Sequence, residues 1–176
     1  MFNELIQRID TESLKQAAEA ISEAYRQDKQ IFTAGNGGSA AIAVHFAADF
    51  GKNVAPKNEP NPKQPRISSL CCNTSTLTAI GNDCGYEHVF DYQLRNFLNP
   101  GDVVVLISSS GNSPNVILAA EYAKANGATV ITLTGFSGGK LKPLADIALH
   151  IDSNVYELIE DVHSFFTHAI VHFCKR

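Results

Sequence analysis

This sequence predicts a three-layer α/β domain: a mostly parallel sheet of about five strands, covered by helices on both faces. Three observations carry that prediction. Apolar strand-like runs alternate with helical segments along the chain. The central runs, 103–107 above all, are continuously apolar rather than alternating, as strands buried on both faces must be. The 176 residues, 44% hydrophobic and 18% charged, suffice for one core and little more. The expected organisation is a single unit over 1–176, with a helical segment at 1–27 and a terminal helix at 155–174.

Each element has a local signal. Leu14, Ala17, Ala18, Ile21, Ala24 and Tyr25 follow amphipathic-helix spacing, and Asp10 or Thr11 is suited to cap that helix. Residues 30–34 read as a short strand ending in GNGGSAA, and 39–50 as an Ala-rich helix. Four prolines make 52–66 a loop, and 67–70 is a second short strand. A helix at 74–80 stops at GNDCG, and another at 87–98 is closed by Pro100-Gly101. Residues 102–107 form a buried strand and 114–126 the helix after it. A strand at 128–134 leads into the turn-rich GFSGGK, and 146–151 is the last strand.

Composition narrows the function classes. The net charge of −4 concentrates no basic surface for a nucleic-acid backbone. Lys52, Lys57, Lys63 and Arg66 are spread along the Pro-rich loop as a solvated face. No apolar run approaches the roughly 20 residues that span a bilayer, and the N-terminus lacks the basic-then-apolar order of a secretory signal. Cys71, Cys72, Cys84 and Cys174 form no Cys-x-x-Cys pair. Buried, reduced thiols in a cytoplasmic protein are the expectation.

Two turns stand out, GNGGSA (35–40) and SSSGNSP (108–114). Both follow strands and open helices. In an open α/β sheet ligands sit beyond the carboxyl ends of the strands. The first amides of a helix lack intrahelical partners and favour an anion. Ser113 before Pro114 fits a cap followed by the first helical position. A cap needs one hydroxyl, however, and the turn offers four: Ser108, Ser109, Ser110 and Ser113. A phosphate or polyol is the expected ligand. GNGGSA formally matches a dinucleotide fingerprint, but the acid expected about 20 residues later falls in a loop, where Glu59 ends no strand.

His45 and Asp49, four apart, share a face of the helix that begins at the first turn. They are a candidate metal ligand or proton carrier and a candidate base. Glu160, Asp161, His163, His168 and His172 lie on the terminal helix. Glu160 and His168 are eight residues and about 12 Å apart along its axis. If both serve one ion, the site is expected to be assembled between subunits. His163 and His172 are expected in packing or on the surface. Asn82 and Asp83 sit at a helix-to-turn junction, as a cap or a ligand contact.

GNGGSA, HFAAD, AIGNDCGYEHVF, ISSSGNSPNVILAA, VITLTGFSGGK and ELIEDVHSFFTHAI, collinear over residues 11–168, resemble the SIS (sugar isomerase) domain family. The phosphoheptose isomerase branch is the most similar. The resemblance implies interconversion of sedoheptulose 7-phosphate and a manno-heptose 7-phosphate through an enediol(ate). It implies substrate contacts at Asn36, Gly37, Gly38, Ser39, Asn82, Asp83, Ser108, Ser109, Ser110, Ser113, Asp49 and Glu160. It implies zinc, one per subunit, held at positions His45, Asp49, Glu160 and His168. Catalytic roles fall to Asp49 and His168, and the family's tetramer, or a dimer, is the expected assembly. Asp49 stands where the family usually has Glu, and Glu160 where it usually has Gln. Only about ten residues precede Thr11, fewer than the family's N-terminal helix. The alternatives are a non-catalytic relative that binds a replication initiator, a sugar-phosphate-sensing regulatory domain, and an isomerase for another phosphosugar.

Overall fold

The computed structural model describes residues 2–175. After helices α1 (Phe2–Gln7) and α2 (Thr11–Arg26), strand β1 (Ile31–Gly35) leads into α3 (Gly38–Asn53). Strand β2 (Ile67–Ser69) follows the proline-rich loop and precedes α4 (Thr74–Asp83) and α5 (Asp91–Phe97). Then come β3 (Val103–Ser108), α6 (Pro114–Ala125), β4 (Thr129–Thr134), β5 (Ile147–His150) and α7 (Tyr156–Cys174). The sheet is parallel at every pairing, in the order β2-β1-β3-β4-β5.

Alternate strand residues feed two cores. Ile31, Val105, Ile107 and Leu133 pack with Ile21 of α2, Phe46 of α3 and Phe166 of α7. Phe32, Val104, Leu106 and Val130 pack with Ile80 of α4, Leu94 of α5 and Val116 of α6. The Asp10 carboxylate caps α2, accepting from the amides of Glu12 and Ser13 at 3.1 Å each, which satisfies two donors that have no partner inside the helix.

The strand order fixes where a ligand can sit. The chain leaves β1 toward β2 on one side, then returns to build β3, β4 and β5 on the other. The crossover direction therefore reverses between β1 and β3, which are neighbours from Ile31↔Val103 to Gly35↔Ile107. Such a reversal opens a crevice at the carboxyl ends of the two strands. GNGGSA and SSSGNSP are the turns that leave those two ends.

Three expectations need correction. The helix expected at 87–98 is split into a 3₁₀ turn, Tyr86–His88, and the shorter α5. The tight turn brings His88 Nδ1 to 3.1 Å from the buried carboxylate of Asp91, which also pairs with Arg95 at 2.6 Å. The helix expected to stop at Ile80 runs on to Asp83, so the first three residues of GNDCG are helical. The thiols are not uniformly buried: Cys174 is, but Cys72 and Cys84 are exposed.

His163 is fully buried, as its packing role requires, close to the Thr134 main chain, yet neither ring nitrogen has a well-formed hydrogen bond. Burial pushes its pKa from 6.5 down to about 4. Between those values the unfolded chain binds a proton that the folded chain refuses. Stability therefore falls as pH drops through that window, by about 3 kcal/mol when the transition is complete. Urea unfolding of His163→Leu at pH 7 and pH 4.5 should show a shallower loss than the parent; an equal loss would assign the acid sensitivity elsewhere.

Candidate functional site

The first turn is built to leave its backbone open. Gly37 precedes α3 at φ +54°, and a Cβ there would meet nothing within 4 Å. That free space lies above the start of α3, where the cap residue has no side-chain oxygen to occupy the amides. Gly35 is the tight point: an added Cβ would lie 2.8 Å from the Ile107 carbonyl and from Ser39 backbone atoms. The turn thus rests directly on β3, and Ser39 is buried in the first turn of α3.

The second turn uses its hydroxyls in different ways. Ser108 Oγ accepts from the Gly111 amide at 3.2 Å, and Ser110 Oγ from the Asn112 amide at 3.2 Å. A hydroxyl that accepts still has its O–H to donate. Ser113 occupies the cap position of α6 but makes no side-chain cap bond; its Oγ lies 3.5 Å from Ser108 Oγ. Ser109 is 1% exposed, and its hydroxyl has no partner among the described residues. Capping therefore does not account for these serines. The turn is thus a neutral cradle in composition, rich in O–H and N–H donors, the chemistry a phosphate or polyol needs. GFSGGK braces the cradle from behind. Leu141 donates its amide to the Gly111 carbonyl at 3.0 Å and Lys140 its amide to Asn112 Oδ1 at 3.3 Å.

On α3 and α7, His45, Asp49 and His168 come together. Their donor atoms lie within 4.8 Å of one another. His45 Nε2 is 3.0 Å from His168 Nε2, and Asp49 Oδ2 is 3.5 Å from the first and 3.8 Å from the second. Asn53 steadies the other carboxylate oxygen at 3.3 Å. Ligands 2.0–2.1 Å from a tetrahedral zinc would be spaced by roughly 3.3 Å. The three observed separations straddle that value, and two imidazoles with one carboxylate suit a borderline cation. The donor set thus fits a metal ion. Both histidine side chains are 53% exposed.

Glu160 does not join this group in the protomer. Its carboxylate lies over Gly38, where an added Cβ would be 2.5 Å from either oxygen. Glu160 meets the start of α3 and His168 meets it two turns later, so α3 and α7 run side by side in the same direction. Asn82 and Asp83, exposed in the last turn of α4, bond to each other at 2.7 Å. His172 is exposed.

Two residues that the sequence did not single out lie at the first turn. Asn115 exchanges two amide hydrogen bonds with Asn36, and the Tyr86 hydroxyl donates to Asn36 Oδ1. An Asn in the first turn of an Ala-rich helix, directly after the hydroxyl turn, was a readable signal for the first. Tyr86 had none, because its contact spans 50 positions.

Hydroxyl-rich turns at a topological switch point, with a His/Asp cluster between α3 and α7, are the chemistry of a phosphosugar-type α/β site. The chain belongs to the SIS domain family, whose model matches residues 2–135. Within that family it stands with the phosphoheptose isomerases. It is 42% identical over 159 residues to the phosphoheptose isomerase of Aliarcobacter butzleri, covering 90% of this chain and 82% of that one. It is 38% identical over 158 residues to that of Rhodospirillum rubrum, with the same coverages. The structure of phosphoheptose isomerase GmhA from Neisseria gonorrhoeae superposes with a TM-score of 0.90 at 37% identity, covering 98% of this chain and 90% of that chain.

Proposed function

We propose that this chain is an isomerase that interconverts sedoheptulose 7-phosphate and D-glycero-D-manno-heptose 7-phosphate. The observation that carries the reading is a neutral donor cradle at the start of α3, with the His45–Asp49–His168 cluster between α3 and α7 further along it. Gly38 and His45 are seven residues apart, about 10 Å along α3, a span suited to an extended phosphosugar. The cradle holds the phosphate and so orients the reacting carbons. A proton then moves between C1 and C2, which requires a base at carbon and an acid at the oxygens.

Asp49 and His168 take those roles. Asp49 Oδ2 faces both imidazoles, so a proton on one member of the cluster is within reach of the others. His45, Asp49 and His168 would also hold a divalent ion, zinc by the chemistry of the donors. Such an ion would polarise the carbonyl and hydroxyl oxygens of the reacting carbons. The Nε2 of His168 cannot bind an ion and carry a proton at once, so these two roles exclude each other at that atom. Glu160 lies two turns from His168 on the same helix. Its use on the same ion requires a second copy of the chain, and a tetramer, or a dimer, is part of this reading. Sedimentation of the purified protein tests it.

The deciding experiment is NMR with sedoheptulose 7-phosphate before chelation, after chelation and after zinc re-addition. New aldose anomeric signals that vanish on chelation and return with zinc are the expected result. Signals that survive complete metal removal would leave the proton chemistry to Asp49 and His168 alone. Binding shifts without turnover would move the reading to another phosphosugar or to a binding role.

A further inference from the structure

The amide pair between Asn36 and Asn115 ties together the two halves of the cradle. Asn36 is in the turn after β1, and Asn115 is the second residue of α6, just past Ser113 and Pro114. Asn36 Nδ2 donates to Asn115 Oδ1 at 2.9 Å, and Asn115 Nδ2 donates back to Asn36 Oδ1 at 3.0 Å. Asn115 is 1% exposed, so its amide is held by packing as well as by hydrogen bonds. The Tyr86 hydroxyl adds a second bond to Asn36 Oδ1 at 3.0 Å, from a side chain that is 61% exposed.

Counting donors and acceptors shows what this does. A side-chain amide offers an oxygen with two lone pairs and a nitrogen with two hydrogens. Both lone pairs of Asn36 are taken, one by Asn115 and one by Tyr86. One hydrogen of Asn36 is taken by Asn115. What remains on Asn36 is a single N–H. An ionised phosphate oxygen only accepts, so a lone N–H is the group such a ligand needs, whereas a free amide carbonyl pointed at it would repel it. Asn36, Tyr86, Glu87, Ser113 and Asn115 also line one cavity of about 380 Å³.

We propose that Asn115 and Tyr86 are positioning residues of the sugar-phosphate site: they saturate the Asn36 carbonyl and hold its amide so that one N–H faces the ligand. The inference rests on the reading of the cradle as an anion and polyol site. Neither residue touches the reacting atoms. Their effect passes through Asn36, and that makes it separable from a general effect on folding.

The test is a double-mutant cycle in the full-length, zinc-loaded protein. Asn115→Leu, close to isosteric, should raise the KM for sedoheptulose 7-phosphate about tenfold with kcat within about twofold, the signature of lost ground-state binding. Tyr86→Phe, at an exposed position that tolerates the change, should raise KM about threefold. In an Asn36→Ala background both substitutions should change KM by less than about twofold, because the group they orient is gone. Full, multiplicative effects in that background, or an unchanged KM in both single variants, would overturn the proposal. Should Asn115→Leu fail to fold, the Tyr86→Phe arm decides alone. The same cycle on inorganic phosphate, by calorimetry, separates this proposal from the isomerase reading. If the parent protein binds phosphate but turns over no heptulose, the isomerase reading fails while the phosphate cycle still decides the positioning role. If the parent binds no phosphate, the cradle and this proposal fall together.

Discussion

Replacing His168 with alanine should lower turnover of sedoheptulose 7-phosphate by about two to four orders of magnitude. Phosphate affinity should stay within about twofold. The reasoning is spatial. His168 lies on α7 beside the second and third turns of α3, where it meets His45 and Asp49. The cradle lies at the first turn of α3 and at the end of β3, and no hydrogen bond links His168 to it among those observed. The substitution removes one of three donors to an ion and the imidazole partner of Asp49, so zinc affinity should fall as well, measurable by competition with a chromogenic chelator. Stability should change little, because the side chain is half exposed. Turnover within about tenfold of the parent would take His168 out of the mechanism. A parallel loss of phosphate binding would mean that the cluster and the cradle are not the separate devices described above.

A second large effect is expected at Gly111, which carries the hydroxyl turn across its tightest point. Its φ is +64°, and an added Cβ would lie 2.0 Å from the Gly138 carbonyl oxygen, a backbone atom that cannot rotate away. Gly139 returns the contact, its own Cβ position being 2.5 Å from the Gly111 and Ser110 carbonyls. Gly111→Ala therefore combines left-handed strain with backbone overlap and should cost about 3 kcal/mol. For a chain of this length that is a fall in Tm of roughly 6–12 °C. Relief of the clash must push GFSGGK away from SSSGNSP, which shifts Ser108 and Ser110. Phosphate binding should weaken by more than about tenfold. Gly127→Ala is the control: its φ is +75°, but its nearest contact is an ordinary 3.5 Å from Pro100. It should lose only about 1 kcal/mol and bind phosphate normally. Equal losses in the two variants would make strain alone responsible and leave the brace without a role.

Much of this was legible because the signals are local. Continuous apolar runs such as 103–107 announce strands buried on two faces. Ser113-Pro114 marks the start of α6 without knowledge of anything distant, and Asp10 caps α2 from two and three residues away. The two glycine-and-hydroxyl turns are likewise visible, since turn chemistry depends on neighbours in sequence. The pairing of His45 with Asp49 follows from helical spacing alone. The 3₁₀ turn at Tyr86–His88 was not legible, because it depends on where the Asp91 carboxylate is buried. Nor was the brace between Gly111 and Gly139, a backbone-to-backbone contact that leaves no compositional mark beyond the glycines themselves.

The sequence by itself therefore determined the class of fold, the positions of the two turns, and the residue types available for phosphate and proton chemistry. Only the tertiary structure decided that these parts form one site. Strand order put β1 beside β3 and so opened the crevice exactly where both turns emerge. The packing of α7 along α3 set His168 against His45 across 123 positions and held Glu160 over Gly38 instead. The pairing of β1 with β3 drew Asn115 onto Asn36 across 79 positions. The physical reason is that helix and turn propensities act over a few residues, whereas the direction of a crossover and the register of two packed helices are settled by burial of the whole core.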